Sequence, residues 1–206
     1  MNAIELLKAD HRKVKGLLEE LAGTTNRALK TRQELLETIA LELKVHTAIE
    51  EEIFYPAFRE AREKHEDEKL FFEAMEEHRA AGDLVLPDLQ ATDVETDQFG
   101  GRAKVLKELI EHHAEEEEKE MFPRARELLG LERLRELGER MEARKAELMA
   151  DPDSLDEVEE VEGPGLLQTV VGAMSTEAED EPGLQPNGLP PDAARTERLR
   201  PGRDAR

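Results

Sequence analysis

Four histidines and two glutamates recur at one spacing. His11 and His78 are 67 residues apart, as are His46 and His113, Glu50 and Glu117, and Pro56 and Pro123. Their surroundings repeat as well: DHR (10–12) answers EHR (77–79), and HTAIEEEIFYP (46–56) answers HAEEEEKEMFP (113–123). Imidazole and carboxylate together are ligands for first-row transition ions, and a carboxylate can bridge two cations. In a chain this rich in glutamate a lone His-x-x-x-Glu carries little weight. An internal repeat in which every matched His falls on an apolar stripe carries much more.

The remaining histidines fail this test. His65 lies in EKHEDEK, a charged connection, and has no partner at the common offset. His112 and Glu116 form a second His-x-x-x-Glu register that overlaps His113 and Glu117. That register lacks the offset, and His112 sits about 100° around the helix from His113. His112 is expected to look elsewhere, with Glu115, Glu116 and Glu118 solvated or supporting.

These six residues need rigid elements to bring them together. Helical periodicity dominates residues 1–150. Helix 1 is predicted to start near Asn2, with Glu5 completing a capping box, and to stop by Gly23. Helix 2 is predicted to be capped by Thr31 and Glu34 and to end near Phe54, ahead of Pro56. Helix 3 covers about 67–90, with Pro87 bending its end. Helix 4 follows Asp97 and stops before Pro123, and a short fifth helix spans about 131–149. The inward stripes are Ile4, Leu7, His11, Val14, Leu18, Leu21; then Leu36, Ile39, Leu43, His46, Glu50, Ile53; then Phe71, Met75, His78, Val85, Leu89; and last Leu106, Ile110, His113, Glu117, Met121. Each is apolar except near its middle, where the histidine lies. The predicted fold is all-α, an up-down four-helix bundle.

Composition agrees with that class. Aromatic residues are 3% and charged residues 38%, with one Tyr and no Trp, which suits helix-on-helix packing better than a β-sandwich. A net charge of −21 disfavours nucleic acid as a partner and says nothing against cations. Without cysteine, disulfides, thiolate metal sites and thiol catalysis are excluded. No apolar stretch reaches the length needed to span a bilayer, and the chain is expected to be soluble and cytoplasmic. Seven of the ten prolines follow residue 150, in a segment of low hydrophobicity. Residues 151–206 are therefore expected to form a mostly disordered acidic tail, with LLQTVVGAM (166–174) a candidate for docking on the bundle or on a protein partner.

The chemistry follows from the spacing. His and Glu four residues apart lie on one helix face, about 6 Å apart along the axis. Two such helices and one His from each of two others converge four imidazoles and two carboxylates inside a bundle. Burying two Glu among leucines costs several kcal/mol each unless a cation pairs them. Two metal ions are the expected partners, and imidazole with carboxylate suits iron or manganese as well as zinc. A ferritin-like site would instead require Glu-x-x-His, which precedes none of the six histidines.

These motifs resemble the hemerythrin-like family with HHE cation-binding domains: His11 in helix 1, His46-x-x-x-Glu50 before Pro56, His78 in helix 3, and His113-x-x-x-Glu117 before Phe122-Pro123. The resemblance covers residues 1–150. It implies an up-down bundle holding a non-haem di-iron centre, with dioxygen, peroxide or nitric oxide as small ligands, and some members decompose peroxide. One feature departs from oxygen-carrying members, which have a further His on the third helix. Here the positions four either side of His78 are Ala74 and Gly82. The repeat itself predicts two equivalent halves with openings on both ions, which favours consumption of oxygen or peroxide over reversible carriage. The competing reading is an acidic helical scaffold with a purely structural metal site.

Overall fold

The computed structural model describes residues 1–152. The expectations for a disordered tail and for the 166–174 patch lie outside the described residues. Four long helical rods form the bundle, and no strand occurs among the described residues.

The first rod is α1 (Ala3–Ala22), and it starts as predicted. The Asn2 side chain accepts from the Glu5 amide, and the Glu5 carboxylate accepts from the Asn2 amide, both at 3.0 Å. The second rod begins at α2 (Leu29–Ile49), earlier than expected. Its N-cap is Ala28, with no side-chain cap, and Thr31 lies inside the helix. The buried Arg32 ties that end together instead. Its guanidinium donates to the Thr24 side chain and carbonyl, to Asn26 and to the Val94 carbonyl, which fixes both loops at that end.

Pro56 and Pro123 do not end their helices. After α2 comes a π-helical turn, π1 (Glu50–Phe54), then α3 (Tyr55–Ala61). The third rod is α4 (His65–His78), π2 (Arg79–Val85) and α5 (Leu86–Gln90). The fourth is α6 (Asp97–Glu116), π3 (Glu117–Met121) and α7 (Phe122–Ala150). Pro56, Pro87 and Pro123 each fall at the second residue after a π turn. A mid-helix proline lacks an N–H and collides with the carbonyl four residues back. Here the amide just before each proline reaches five residues back instead, Tyr55 to Glu50, Leu86 to Ala81 and Phe122 to Glu117. The widened turn lets the rod continue.

The predicted fifth helix is the second half of α7. The break that sets it off is Gly130, whose φ of 71° lies in the left-handed region that glycine adopts without strain. Beyond it, α7 folds onto α1, α2 and α3 and buries Leu134, Leu137, Met141 and Leu148. Gly138 meets the N-terminus so closely that a Cβ there would lie 2.5 Å from the Met1 carbonyl oxygen.

Two apolar clusters fill the bundle. One holds Leu18, Ile39, Leu89, Phe99 and Leu106, and the other Leu7, Ile49, Phe54, Phe58 and Phe122. His11, His46, Glu50, His78, His113 and Glu117 are all buried and belong to neither cluster.

Candidate metal centre

Each predicted ligand arrives from a different place on a rigid rod. His11 comes from α1, His46 from α2, His78 from the last residue of α4 and His113 from α6. Glu50 and Glu117 each open a π turn, four residues after a histidine. The structure brings all six together in two overlapping sets. Ligand atoms of His11, His46, Glu50 and Glu117 lie within 4.8 Å of one another, and so do those of Glu50, His78 and His113. Glu50 belongs to both sets. Its Oε2 is 3.2 Å from Nε2 of both His46 and His78. Glu117 Oε2 plays a similar part, 3.2 Å from His11 Nε2 and 3.6 Å from His113 Nε2.

Each of these four histidines turns Nε2 inward and Nδ1 toward a carboxylate. His11 faces Glu118 at 3.0 Å, His46 faces Asp10 at 3.8 Å, and His78 and His113 face Glu51 and Glu77 at 2.8 Å each. Such outer carboxylates fix ring orientation and leave the other nitrogen free to bind a metal. They obey the same repeat, since Asp10 and Glu77, and Glu51 and Glu118, are 67 residues apart. Sequence reasoning gave Glu118 at most a supporting role and passed over the other three, although the common offset marks them all.

The electrostatics ask for cations. Glu50 is fully buried, and neither oxygen has a hydrogen-bond partner. His11 Nε2, His46 Nε2 and Glu117 Oε2 are likewise buried without one. Burial, then the neighbouring Glu117, pushes the Glu50 carboxyl well above its usual range. Burial also acts to raise Glu117, but His113 and His11 bring it down to about 2. Burial lowers His46 to about 4, which keeps its ring neutral and able to donate a lone pair. Imidazole nitrogens beside buried carboxylate oxygens that lack partners are a donor set suited to transition ions.

The halves are not equivalent, contrary to the expectation from the repeat. At the offset position Tyr55 answers Phe122. The Tyr55 hydroxyl donates to Glu117 Oε1 at 2.9 Å and lies 3.3 Å from His78 Nε2. Burial and the two glutamates push the phenol well above its ordinary value, so it keeps its proton. Phe122 offers no such group and stacks on His11, with centroids 5.8 Å apart. A cleft of about 980 Å³, lined by Leu43, Thr47, Gly82 and Leu86 among others, reaches His11, His46, His78 and His113.

The excluded histidines stay outside. His65 opens α4 and His112 stands on the outer face of α6, 73% and 61% exposed.

A family model for the hemerythrin HHE cation binding domain matches residues 2–125. The chain belongs to the hemerythrin HHE cation-binding family. Among its HHE relatives, a solved Mycobacterium kansasii protein, described as containing a hemerythrin HHE cation binding domain, is 32% identical with a TM-score of 0.62. That match covers 71% of this chain and 86% of the other. An uncharacterized protein of Mycobacterium tuberculosis is 30% identical over 153 residues, 74% of this chain and 90% of its own length. A DNA nickase of Nostoc sp. is 26% identical over 148 residues, 72% of this chain but 40% of that protein. No helix among the described residues is long and apolar enough to cross a membrane. In this HHE domain Ala74 is buried and Gly82 lines the cleft, so neither adds a ligand beside His78.

Proposed function

We propose that this HHE bundle holds a pair of non-haem iron ions and uses them to consume dioxygen or peroxide. The observation that supports it is the convergence of buried atoms without partners, from His11, His46, Glu50 and Glu117, beside His78 and His113. His11 and His46 would hold one ion and His78 and His113 the other, with Glu50 and Glu117 shared. The bound pair supplies two-electron redox chemistry toward small oxygen or nitrogen ligands.

The chain's own residues do the rest. Glu118, Asp10, Glu51 and Glu77 orient the four rings. Tyr55 holds its hydroxyl hydrogen beside Glu117 and His78, where it would donate a hydrogen bond to a small ligand. Phe122 keeps the other half apolar. The cleft opens on all four histidines, so small ligands can reach both halves. A carrier must release oxygen unchanged, whereas a hydroxyl donor aimed at the site would stabilise charge developing on a ligand as it is reduced. Nitric oxide would enter by the same route.

Stopped-flow mixing of the anaerobic, Fe(II)-loaded protein with oxygen tests this reading. The expected result is irreversible oxidation of both irons, slowed in Tyr55→Phe. An oxygenated form that returns to the ferrous state when oxygen is removed would overturn it.

A further inference from the structure

Outside the buried centre, one more group of metal-ligating side chains converges. His112 Nε2 lies 3.6 Å from Glu77 Oε1 and 3.4 Å from Glu116 Oε1. Ligand atoms of the three fall within 4.8 Å of one another. His112 and Glu116 share one face of α6 at i and i+4, and Glu77 comes across from α4. The other oxygen of Glu77 is engaged inward, accepting from His113 Nδ1 at 2.8 Å.

The internal repeat shows what belongs there. Subtracting the 67-residue offset maps Glu77 onto Asp10, His112 onto Val45 and Glu116 onto Ile49. In that half, Val45 and Ile49 are fully buried and pack in the cluster that α7 completes. Lys145 from α7 donates to Asp10 Oδ1, while Asp10 Oδ2 faces His46. The carboxylate behind that histidine is thus held between an imidazole and a cation that the chain itself provides.

Beyond Gly130, α7 packs on the rods of the first half, so the second half receives no such lysine. Among the described residues no Lys or Arg pairs with Glu77 or Glu116. In place of the buried Val and Ile stand an imidazole and a carboxylate, both solvent-accessible and both metal ligands.

We propose that Glu77, His112 and Glu116 form a separate surface site for a divalent first-row transition ion, which takes the place at Glu77 that Lys145 takes at Asp10. One imidazole and two carboxylates give three protein ligands, with water completing the shell. The ion would bind more weakly than one in the buried centre, because the site is open to water. Glu77 would touch it with one oxygen and His113 with the other, which links the surface site to the buried one.

The test is calorimetric titration of the metal-free full chain with Zn(II), for wild type, His112→Ala, Glu116→Gln and the surface control Glu115→Gln. Wild type and Glu115→Gln are expected to bind one more Zn(II) than His112→Ala, with that step weakened at least about tenfold in Glu116→Gln. All four should melt alike without metal, because the substituted positions are exposed or half-exposed. Equal stoichiometry and affinity in wild type and His112→Ala would overturn the proposal. Loss of the step in Glu115→Gln would also overturn it, by marking diffuse binding to an acidic surface. Failure of the buried pair looks different: wild type would take up a single Zn(II), still lost in His112→Ala.

Discussion

Replacing Glu50 with methionine should stabilise the metal-free protein while destroying its metal site. The side chain is fully buried, and both oxygens lack a hydrogen-bond partner. A buried polar group left unsatisfied costs about 1–3 kcal/mol. Methionine removes that cost and adds apolar burial, at the loss of contacts at 3.2 Å with His46 and His78. Burial and the neighbouring Glu117 hold the Glu50 carboxyl well above its usual range, so its loss strips no counter-charge from His46 and His78. A net gain of about 1–3 kcal/mol corresponds to a rise in Tm of roughly 3–10 °C for a domain of this size. The assay is thermal and urea unfolding of metal-free wild type and Glu50→Met, beside metal uptake by each. The two readouts should move in opposite directions, which a purely structural residue would not produce. If Glu50→Met lowers the stability of the metal-free protein, Glu50 is a structural partner of the histidines and the reasoning fails.

Three further outcomes follow from the packing. Lys145→Met strips Asp10 of its cation, and since Lys145 is partly exposed the expected loss is about 2 kcal/mol in urea unfolding, less than for a fully buried pair. Gly138→Ala forces a Cβ against the backbone of Met1–Ala3, so despite its better helix propensity it should destabilise by about 1–2 kcal/mol, with a stabilised variant contradicting the docking of α7. Arg124 grips both oxygens of Asp67, at 2.7 and 3.0 Å, and holds its carboxyl well below the usual range. A depressed acid stabilises above its unfolded pKa of about 3.9, and that stabilisation is lost as pH falls toward the folded value. The stability gap between wild type and Asp67→Asn should therefore be full at pH 6 and shrink steadily below about pH 4; a gap independent of pH would refute the pairing.

The six inner residues were legible because two independent signals coincide on them, the 67-residue offset and the apolar stripe. The outer carboxylates carry the offset but lie off the stripe, and in so acidic a chain Glu51 and Glu77 look like solvated surface. The difference between Tyr55 and Phe122 is written in FYP against MFP, yet its consequence needs the 2.9 Å contact to Glu117 to be seen. Helix ends were read less well. Pro56 and Pro123 read as helix ends, whereas π turns, which leave no periodic mark of their own, carry the rods past them. Thr31 and Glu34 have the form of a cap, but α2 begins earlier, at Leu29, with Ala28 at its N-cap and no side-chain cap.

Metal content measures the central claim most directly. The full chain is loaded anaerobically with Fe(II), washed with a weak chelator to clear surface ions, and assayed for iron per chain beside His113→Ala and His65→Ala. Two firmly held irons per chain are expected in wild type and in His65→Ala, with a severe loss in His113→Ala. Fewer than one iron per wild-type chain, or equal retention by His113→Ala, would contradict a buried di-iron centre built from His11, His46, Glu50, His78, His113 and Glu117.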